Sequence, residues 1–260
     1  MSAVNADIGP AYAGYAKEDL MSKHILITND DGISADGIRK LAEIARRLGD
    51  VTVVAPDAQR SAASHHCIFS RPLILKEYDF GLDGINAYTL DGTPADCVRV
   101  GIFAAMDAKP DAVLSGINHG YNISSDIQYS GTVGAALEAA FLGVSAIAVS
   151  YGNYQFKATD IVDRYLPALL EEYMEKPLPA NQIWNINIPD CPADECMGIM
   201  RNAAMNTEHF YEDQYLKEKV SEKTWSVTNI AQRIWKGPEN SDLNAVLNKY
   251  IAVGTVTNLT

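Results

Sequence analysis

The chain has 260 residues, 47% hydrophobic and 21% charged, with a formal net charge of −12. That composition supplies the core of one large α/β domain, with or without a smaller appendage, and excludes a disordered chain. The negative charge argues against a nucleic-acid polymer or an anionic membrane as main partner, so an anionic small substrate would need a locally positive site such as a bound cation.

Residues 1–22 lack the basic start and apolar core of a signal peptide, and read as a flexible leader or an over-long start with Met21 as the beginning. No run approaches the roughly 18 apolar residues of a membrane-spanning helix. Cys67, Cys97, Cys191 and Cys196 form no Cys-x-x-Cys pair, which fits reduced thiols of a cytoplasmic protein rather than a disulfide framework or a zinc site.

The first strong element is Ile25-Leu26-Ile27, a buried strand that stops at Asn29-Asp30-Asp31-Gly32. Adjacent carboxylates at a strand end raise each other's pKa unless a cation neutralises them, and carboxylate oxygens suit Mg²⁺ or Mn²⁺. The alternative is an acidic turn with both side chains in water; Gly32 serves the sharp turn in either case. Ile38, Leu41, Ile44, Ala45 and Leu48 then recur at helical spacing up to Gly49, and residues 51–55 form a second apolar strand, completing a β-α-β unit.

Residues 57–71 are a polar loop. The pattern predicts strands over 73–75 and 87–90, a helix over 93–106 with Thr93 as N-cap and Pro94 at its first position, and a strand over 111–115. A loop rich in glycine and asparagine runs from Gly116 to Thr132 and leads into an alanine-rich helix over 133–142. A strand over 144–150, a helix over 160–175 and a strand over 183–188 follow. This alternation predicts an α/β, Rossmann-like, doubly wound and mostly parallel sheet in a catalytic domain over 23–200. Residues 201–260 break the alternation. They read as a β-rich extension, a hairpin arm on a neighbouring subunit, with strand-like pieces near 225–230 and 250–256.

Ligands of open parallel sheets bind beyond the carboxyl ends of the strands. The Asp30-Asp31 turn, the Arg60-Ser61 loop and the Asn118/Asn122 loop all leave such ends and together offer carboxylate, hydroxyl and amide oxygens for a hard cation. Ser130-Gly131-Thr132 at a helix start would add an anion cradle. A metal beside such a cradle is the layout of a phosphate-processing site. Taken singly, Asn118 and Asn122 equally well stabilise turns, Ser130 or Thr132 caps the helix, and Arg60 pairs with a nearby acid. His65-His66 is a poor metal pair, since adjacent histidines rarely face one ion. Leu90-Asp91-Gly92-Thr93 is like an aspartyl-phosphatase motif without its nucleophile, because Thr89 stands at that position. Dinucleotide, P-loop and serine-hydrolase fingerprints are absent.

Asn29-Asp30-Asp31-Gly32, Ala55-Pro56-Asp57-x-x-Arg60-Ser61, Gly92-Thr93-Pro94-x-Asp96-Cys97-Val98, Ser115-Gly116-Ile117-Asn118-x-Gly120-x-Asn122 and Tyr129-Ser130-Gly131-Thr132-Val133 occur in one order. Together they resemble the SurE family of metal-dependent nucleotidases and acid phosphatases. The resemblance implies that Asp30, Asp31, Ser61 and Asn118 bind one divalent metal (Mg²⁺ or Mn²⁺, with Co²⁺ a further candidate). It places Asn122 and Ser130 near the phosphate, with Gly131 and Thr132 in the same loop. It implies a Rossmann-like domain with a C-terminal arm used in homodimers or homotetramers, and hydrolysis of nucleoside 5′- or 3′-monophosphates, in some members also of short polyphosphate.

Two departures stand out. Ala62 replaces the family's usual glycine, which tightens the backbone beside Ser61. The C-terminal pattern is kept loosely at Ser241-Asp242 and Ala245-Val246, while Gly254-Thr255-Val256 replaces Thr-Pro-Leu, a change that bears on assembly and substrate choice more than on chemistry.

The expected chemistry is in-line attack of water on phosphorus, with Asn122 and the Ser130 loop stabilising the phosphoryl oxygens. One aspartate takes the water's proton, or attacks phosphorus itself. A second reading of the same residues is a nucleotide-binding sensor without turnover. A nucleotide-sugar transferase would need an acceptor domain for which there is no sequence.

Overall fold

The computed structural model describes residues 23–176, 178–208 and 210–257, so the leader read over 1–22 lies outside the described residues. In chain order the first half contains β1 (Lys23–Thr28), α1 (Asp36–Ala45), β2 (Gly49–Pro56), β3 (Leu75–Glu77), β4 (Asn86–Leu90), α2 (Pro94–Val100) and β5 (Ala112–His119). Then come α3 (Gly131–Phe141), β6 (Ser145–Tyr151), α4 (Asp160–Met174), β7 (Gln182–Ile188) and β8 (Gly198–Arg201). The remainder holds β9 (Tyr211–Glu212), β10 (Tyr215–Ser221), β11 (Thr224–Asn229), β12 (Gln232–Arg233), α5 (Asp242–Leu247) and β13 (Tyr250–Thr257).

Nine strands form one sheet in the order β3-β4-β2-β1-β5-β6-β7-β13-β8. The run from β4 to β7 is parallel; β3 is antiparallel to β4, and β13 is antiparallel to β7 and parallel to β8. This is the doubly wound, mostly parallel sheet that the alternating pattern predicts. Its central strands are largely apolar and buried because helices cover both faces. Side chains alternate across β1: Ile25 and Ile27 join Ile38, Leu41, Leu166 and Leu170 on the face of α1 and α4, while Leu26 joins Val98, Val133 and Ala136 on the face of α2 and α3.

Local chemistry explains the element ends. Thr93 and Asp96 form a reciprocal capping box at the start of α2, with Pro94 at its first position. The helix predicted over 93–106 divides into α2 and a π-helical turn over Gly101–Ala105. Residues 116–119, read as loop, extend β5 instead: its register shifts between Ser115 and Asn118, after which Asn118 pairs with Ser150 and His119 with Tyr151. Glycine and asparagine weaken a strand by propensity, but pairing with β6 overrides that here.

The stretch over 201–260 divides in two. β10 and β11 pair as a hairpin whose residues are all exposed, including Leu216, Val220, Trp225 and Val227. β13, by contrast, lies within the nine-stranded sheet with Ile251, Ala252 and Val253 buried, so the main sheet is completed from the far end of the chain.

Candidate active site

The Asp30-Asp31 turn is built from its flanks. Asn29 is buried and clasps Gly32, donating from Nδ2 to its carbonyl at 2.9 Å and accepting its N–H at 3.2 Å. Gly32 takes φ +99°, a conformation that side-chain-bearing residues rarely adopt. The turn holds Asp30 almost fully buried, at 3% exposure, against the start of α3. Thr132 donates its hydroxyl to Asp30 Oδ1 at 2.6 Å. Gly131 makes that approach possible, because a Cβ there would fall 2.9 Å from the Cβ of Asp30. Asp31 Oδ2 accepts the His119 N–H at 3.2 Å.

The polar loop over 57–71 closes on the same place. Arg60 N–H donates to the Asp30 carbonyl at 2.7 Å, and Gln59 Nε2 donates to Ser61 Oγ at 3.0 Å. Farther along, Ser64 N–H and Oγ donate to the carbonyls of Tyr129 and Gln128. His65 pairs through Nε2 with Glu138 at 2.6 Å, and Arg99 holds the other oxygen of that carboxylate at 2.6 Å. His65 therefore anchors the loop to α3. The Asp91-Gly92-Thr93 run is likewise structural: Asp91 accepts from Arg71 and from the Ile74 N–H, and Thr93 caps α2.

A cavity of about 610 Å³ opens on the carboxyl edge of the sheet, lined among others by Asp30, Ser61, Asn118, Asn122 and Ser130. Asn118 donates from Nδ2 to the Gly120 carbonyl at 2.9 Å, which leaves its Oδ1 without a partner among the described residues. Asn122 is held from beneath: it donates from Nδ2 to Ser150 Oγ at 2.9 Å, its N–H reaches Asn187 Oδ1 at 2.8 Å, and its carbonyl accepts from Asn185 and Asn187. Ser130 Oγ accepts the Val133 N–H at 3.1 Å as the cap of α3, so its own hydrogen is free to donate into the cavity. Thr132 and Gly131 do not line the cavity; Thr132 is fully buried with its hydroxyl given to Asp30. The resemblance puts them in the phosphate loop, and the geometry makes them the support behind Asp30.

Electrostatics at the turn favour a cation. Burial pushes the Asp30 carboxyl up to about 6; the neighbouring Asp31 charge adds to this and the Thr132 hydrogen bond opposes it. A divalent ion against Asp30 would reverse that cost. Among the described residues no three His, Cys, Asp or Glu side chains cluster as a metal site; the groups expected as donors from the sequence are two carboxylates plus the neutral oxygens of Ser61 and Asn118. Such an all-oxygen set fits a hard cation that keeps some of its water.

Several lining residues escape a motif reading. Asp126, Tyr154, Tyr211 and Arg233 line the same cavity and are hydrogen-bonded to one another. Asn185 and Asn187, which hold Asn122, did carry a signal: two amides alternating within an otherwise apolar strand mark a buried polar contact.

Residues 25–212 match the family model described as survival protein SurE. A 5′-nucleotidase SurE from Carboxydothermus hydrogenoformans is 45% identical over 183 residues, covering 67% of this chain and 68% of that protein. One from Thermosipho melanesiensis is 36% identical over 238 residues, covering 90% and 91%. The crystal structure of the SurE protein from Aquifex aeolicus superposes with a TM-score of 0.79 at 33% identity, covering 91% of this chain and 94% of that one. The matched span contains the Asp30 turn, the Ser61 loop, β5 and the start of α3, and the chain belongs to the SurE family.

Proposed function

We propose that this chain is a metal-dependent phosphomonoesterase that hydrolyses nucleoside 5′-monophosphates, and 3′-monophosphates in the same site, to nucleoside and phosphate. The observation that carries the reading is the convergence of Asp30, Ser61, Asn118, Asn122 and Ser130 on one cavity beside the start of α3. The naming of its relatives as 5′-nucleotidases supports it.

Asp30, Asp31, Ser61 and Asn118 would hold one Mg²⁺ or Mn²⁺, with Co²⁺ a substitute, and the bound ion supplies Lewis-acid polarisation of the phosphoryl group. Ser130 donates its hydroxyl to a phosphoryl oxygen while the helix N–H pins its Oγ in place. Ser130 brings the N-terminal end of α3 to the cavity wall, where the positive end of the helix dipole favours an anion. Asn122 gives one Nδ2 hydrogen to Ser150 Oγ, while Asn187 holds its backbone, and its second Nδ2 hydrogen serves the phosphate. One carboxylate of the Asp30-Asp31 pair accepts the proton of the attacking water. The exposed apolar hairpin of β10 and β11 serves assembly into a homodimer or homotetramer.

The test is phosphate release from a panel of nucleoside monophosphates in EDTA and then with Mn²⁺, Mg²⁺ or Co²⁺. Metal-dependent release that Asp30→Asn abolishes is the expected result. Nucleotide binding with no release under any metal would replace the enzyme with a sensor.

A further inference from the structure

The cavity is lined by two chemically different groups of residues. Asp30, Ser61, Asn118 and Ser130 make one; Asp126, Tyr154, Tyr211 and Arg233 make the other. Arg233 is the sole lysine or arginine among the described lining residues. Its guanidinium is pinned on three sides, donating from Nη1 to the Tyr154 hydroxyl at 2.6 Å, from Nη2 to Asp126 Oδ2 at 3.1 Å and from Nε to the Tyr211 hydroxyl at 3.4 Å. Tyr211 in turn donates to the other oxygen of Asp126. The rings of Phe210, Tyr211 and Trp235 lie 5.9, 6.0 and 5.7 Å from the guanidinium carbon.

This arrangement favours a neutral flat ligand over a second anion. Asp126 offsets the charge of Arg233, so the pair attracts a phosphate dianion weakly. Three of the five guanidinium N–H groups are engaged, which leaves two for the acceptor edge of a ring. The tyrosine rings beside them offer faces for stacking. The volume, about 610 Å³, exceeds what a lone phosphate needs and falls within the ~300–1,000 Å³ of small-molecule sites.

We infer that this second group forms the subsite for the base of the nucleoside, and that Arg233 is its specificity-determining residue. The inference rests on the phosphomonoesterase reading and deepens it. Arg233 and Tyr211 come from the short pair β12–β9 at the root of the exposed hairpin, whereas Asp126 and Tyr154 come from loops of the main sheet. Discrimination between nucleotides and simpler phosphate esters is thus assembled only where the C-terminal segment packs on the domain, apart from the residues that handle the phosphate.

The experiment compares kcat/KM for nucleoside monophosphates with that for glycerol phosphate in the wild-type protein, Arg233→Met, Arg233→Lys and Tyr154→Phe. The wild-type protein favours nucleotides. Arg233→Met lowers that ratio about tenfold or more, chiefly through KM for the nucleotide, as expected when a polar ring contact is lost. Arg233→Lys fails to restore it, because an ammonium lacks the planar fork. Tyr154→Phe, which keeps the ring and unpins one N–H, lowers it by roughly threefold. Ratios within twofold of wild type in Arg233→Met and Tyr154→Phe, with unchanged circular dichroism, overturn the inference. Should Arg233→Met fail to fold, the Tyr154→Phe ratio decides. Should the wild-type protein release no phosphate at all, the phosphomonoesterase reading fails separately. Calorimetric binding of adenosine and guanosine then tests the subsite directly: binding that Tyr154→Phe weakens supports it, and no binding overturns it.

Discussion

The Thr132 hydroxyl donates to Asp30 Oδ1 at 2.6 Å, with both side chains buried, and this bond joins the carboxyl end of β1 to the first turn of α3. It ties the proposed cation side of the cavity to the proposed phosphate side through a single carboxylate. Burial also disfavours the charge of that carboxylate, carrying its pKa up to about 6.

A stability prediction follows for Asp30. Its folded pKa lies above the ordinary value of 3.8, so the folded state holds the proton more tightly than the unfolded chain does. The group therefore costs nothing below pH 3.8, and the cost grows as pH rises to about 6 and stays constant above it. Asp30→Asn in metal-free protein should be more stable than wild type at pH 8, by about 1–3 kcal/mol. It should also lose most of the stabilisation that added Mn²⁺ gives the wild type. Urea unfolding at pH 8, with and without Mn²⁺, checks both. A variant less stable than wild type in EDTA would show that the charge is not a burden.

Gly131 should tolerate no side chain. A Cβ there would sit 2.9 Å from Asp30 Cβ and 3.2 Å from Pro94 Cγ, both parts of packed elements with little room to move. Gly131→Ala should destabilise by about 1–3 kcal/mol through overpacking. Because Asp30 is displaced, Mn²⁺ affinity should fall more steeply than stability, which titration of the metal followed by electron paramagnetic resonance would measure.

Glu138 anchors the loop that carries Ser61. Its side chain is 7% exposed; burial alone would raise its pKa, but the bonds from His65 and Arg99 outweigh that and hold it below the usual carboxylate value of 4.5. A depressed pKa gives stability that is present above the ordinary value and lost as pH falls through the folded one. Glu138→Gln should cost about 2 kcal/mol at pH 7, less than a fully buried pair because His65 and Arg99 are partly solvated. The deficit should shrink toward acid in a urea series. Faster proteolysis of the 57–71 loop in the variant would show that the anchor is lost.

Ala62 adopts φ +60°, the left-handed conformation that glycine takes freely. The substitution of alanine for the family's usual glycine is therefore carried as backbone strain next to Ser61. Ala62→Gly should leave the unfolding free energy unchanged or raise it by up to about 1 kcal/mol, relief of strain being partly cancelled by the greater entropy of an unfolded glycine. A fall in melting temperature would mean that the methyl group makes a contact worth more than the strain.

Much of this molecule was legible in the sequence because the signals were local. Ile25-Leu26-Ile27 before two aspartates could only be a buried strand reaching a polar edge, and the glycine beyond them had to turn. Thr93 and Pro94 spelled a helix start within two residues, and the structure forms that cap, with Asp96 completing it. Five motifs in order were enough to identify the family, since each is a short loop whose chemistry depends on neighbours in the chain. Parallel topology followed from alternation, because strands joined by helices must cross over the sheet.

What remained for the tertiary structure were relationships between distant residues. Propensity cannot tell that Gly116-Ile117-Asn118 is strand, because that depends on β6 offering Ser150 and Tyr151 as partners. Nor does spacing place β13 in the main sheet, since its slot exists only between β7 and β8. The same holds for the site. The sequence pointed to Thr132 at an anion cradle, yet packing of α3 on the Asp30 turn, 102 residues away along the chain, decides that its hydroxyl serves the carboxylate. Arg233 bears no motif at all; its position is set by Asp126 and Tyr154, 107 and 79 residues away along the chain. Side-chain type and local order determine which groups are present, whereas hydrogen-bond partners and burial are properties of the folded neighbourhood.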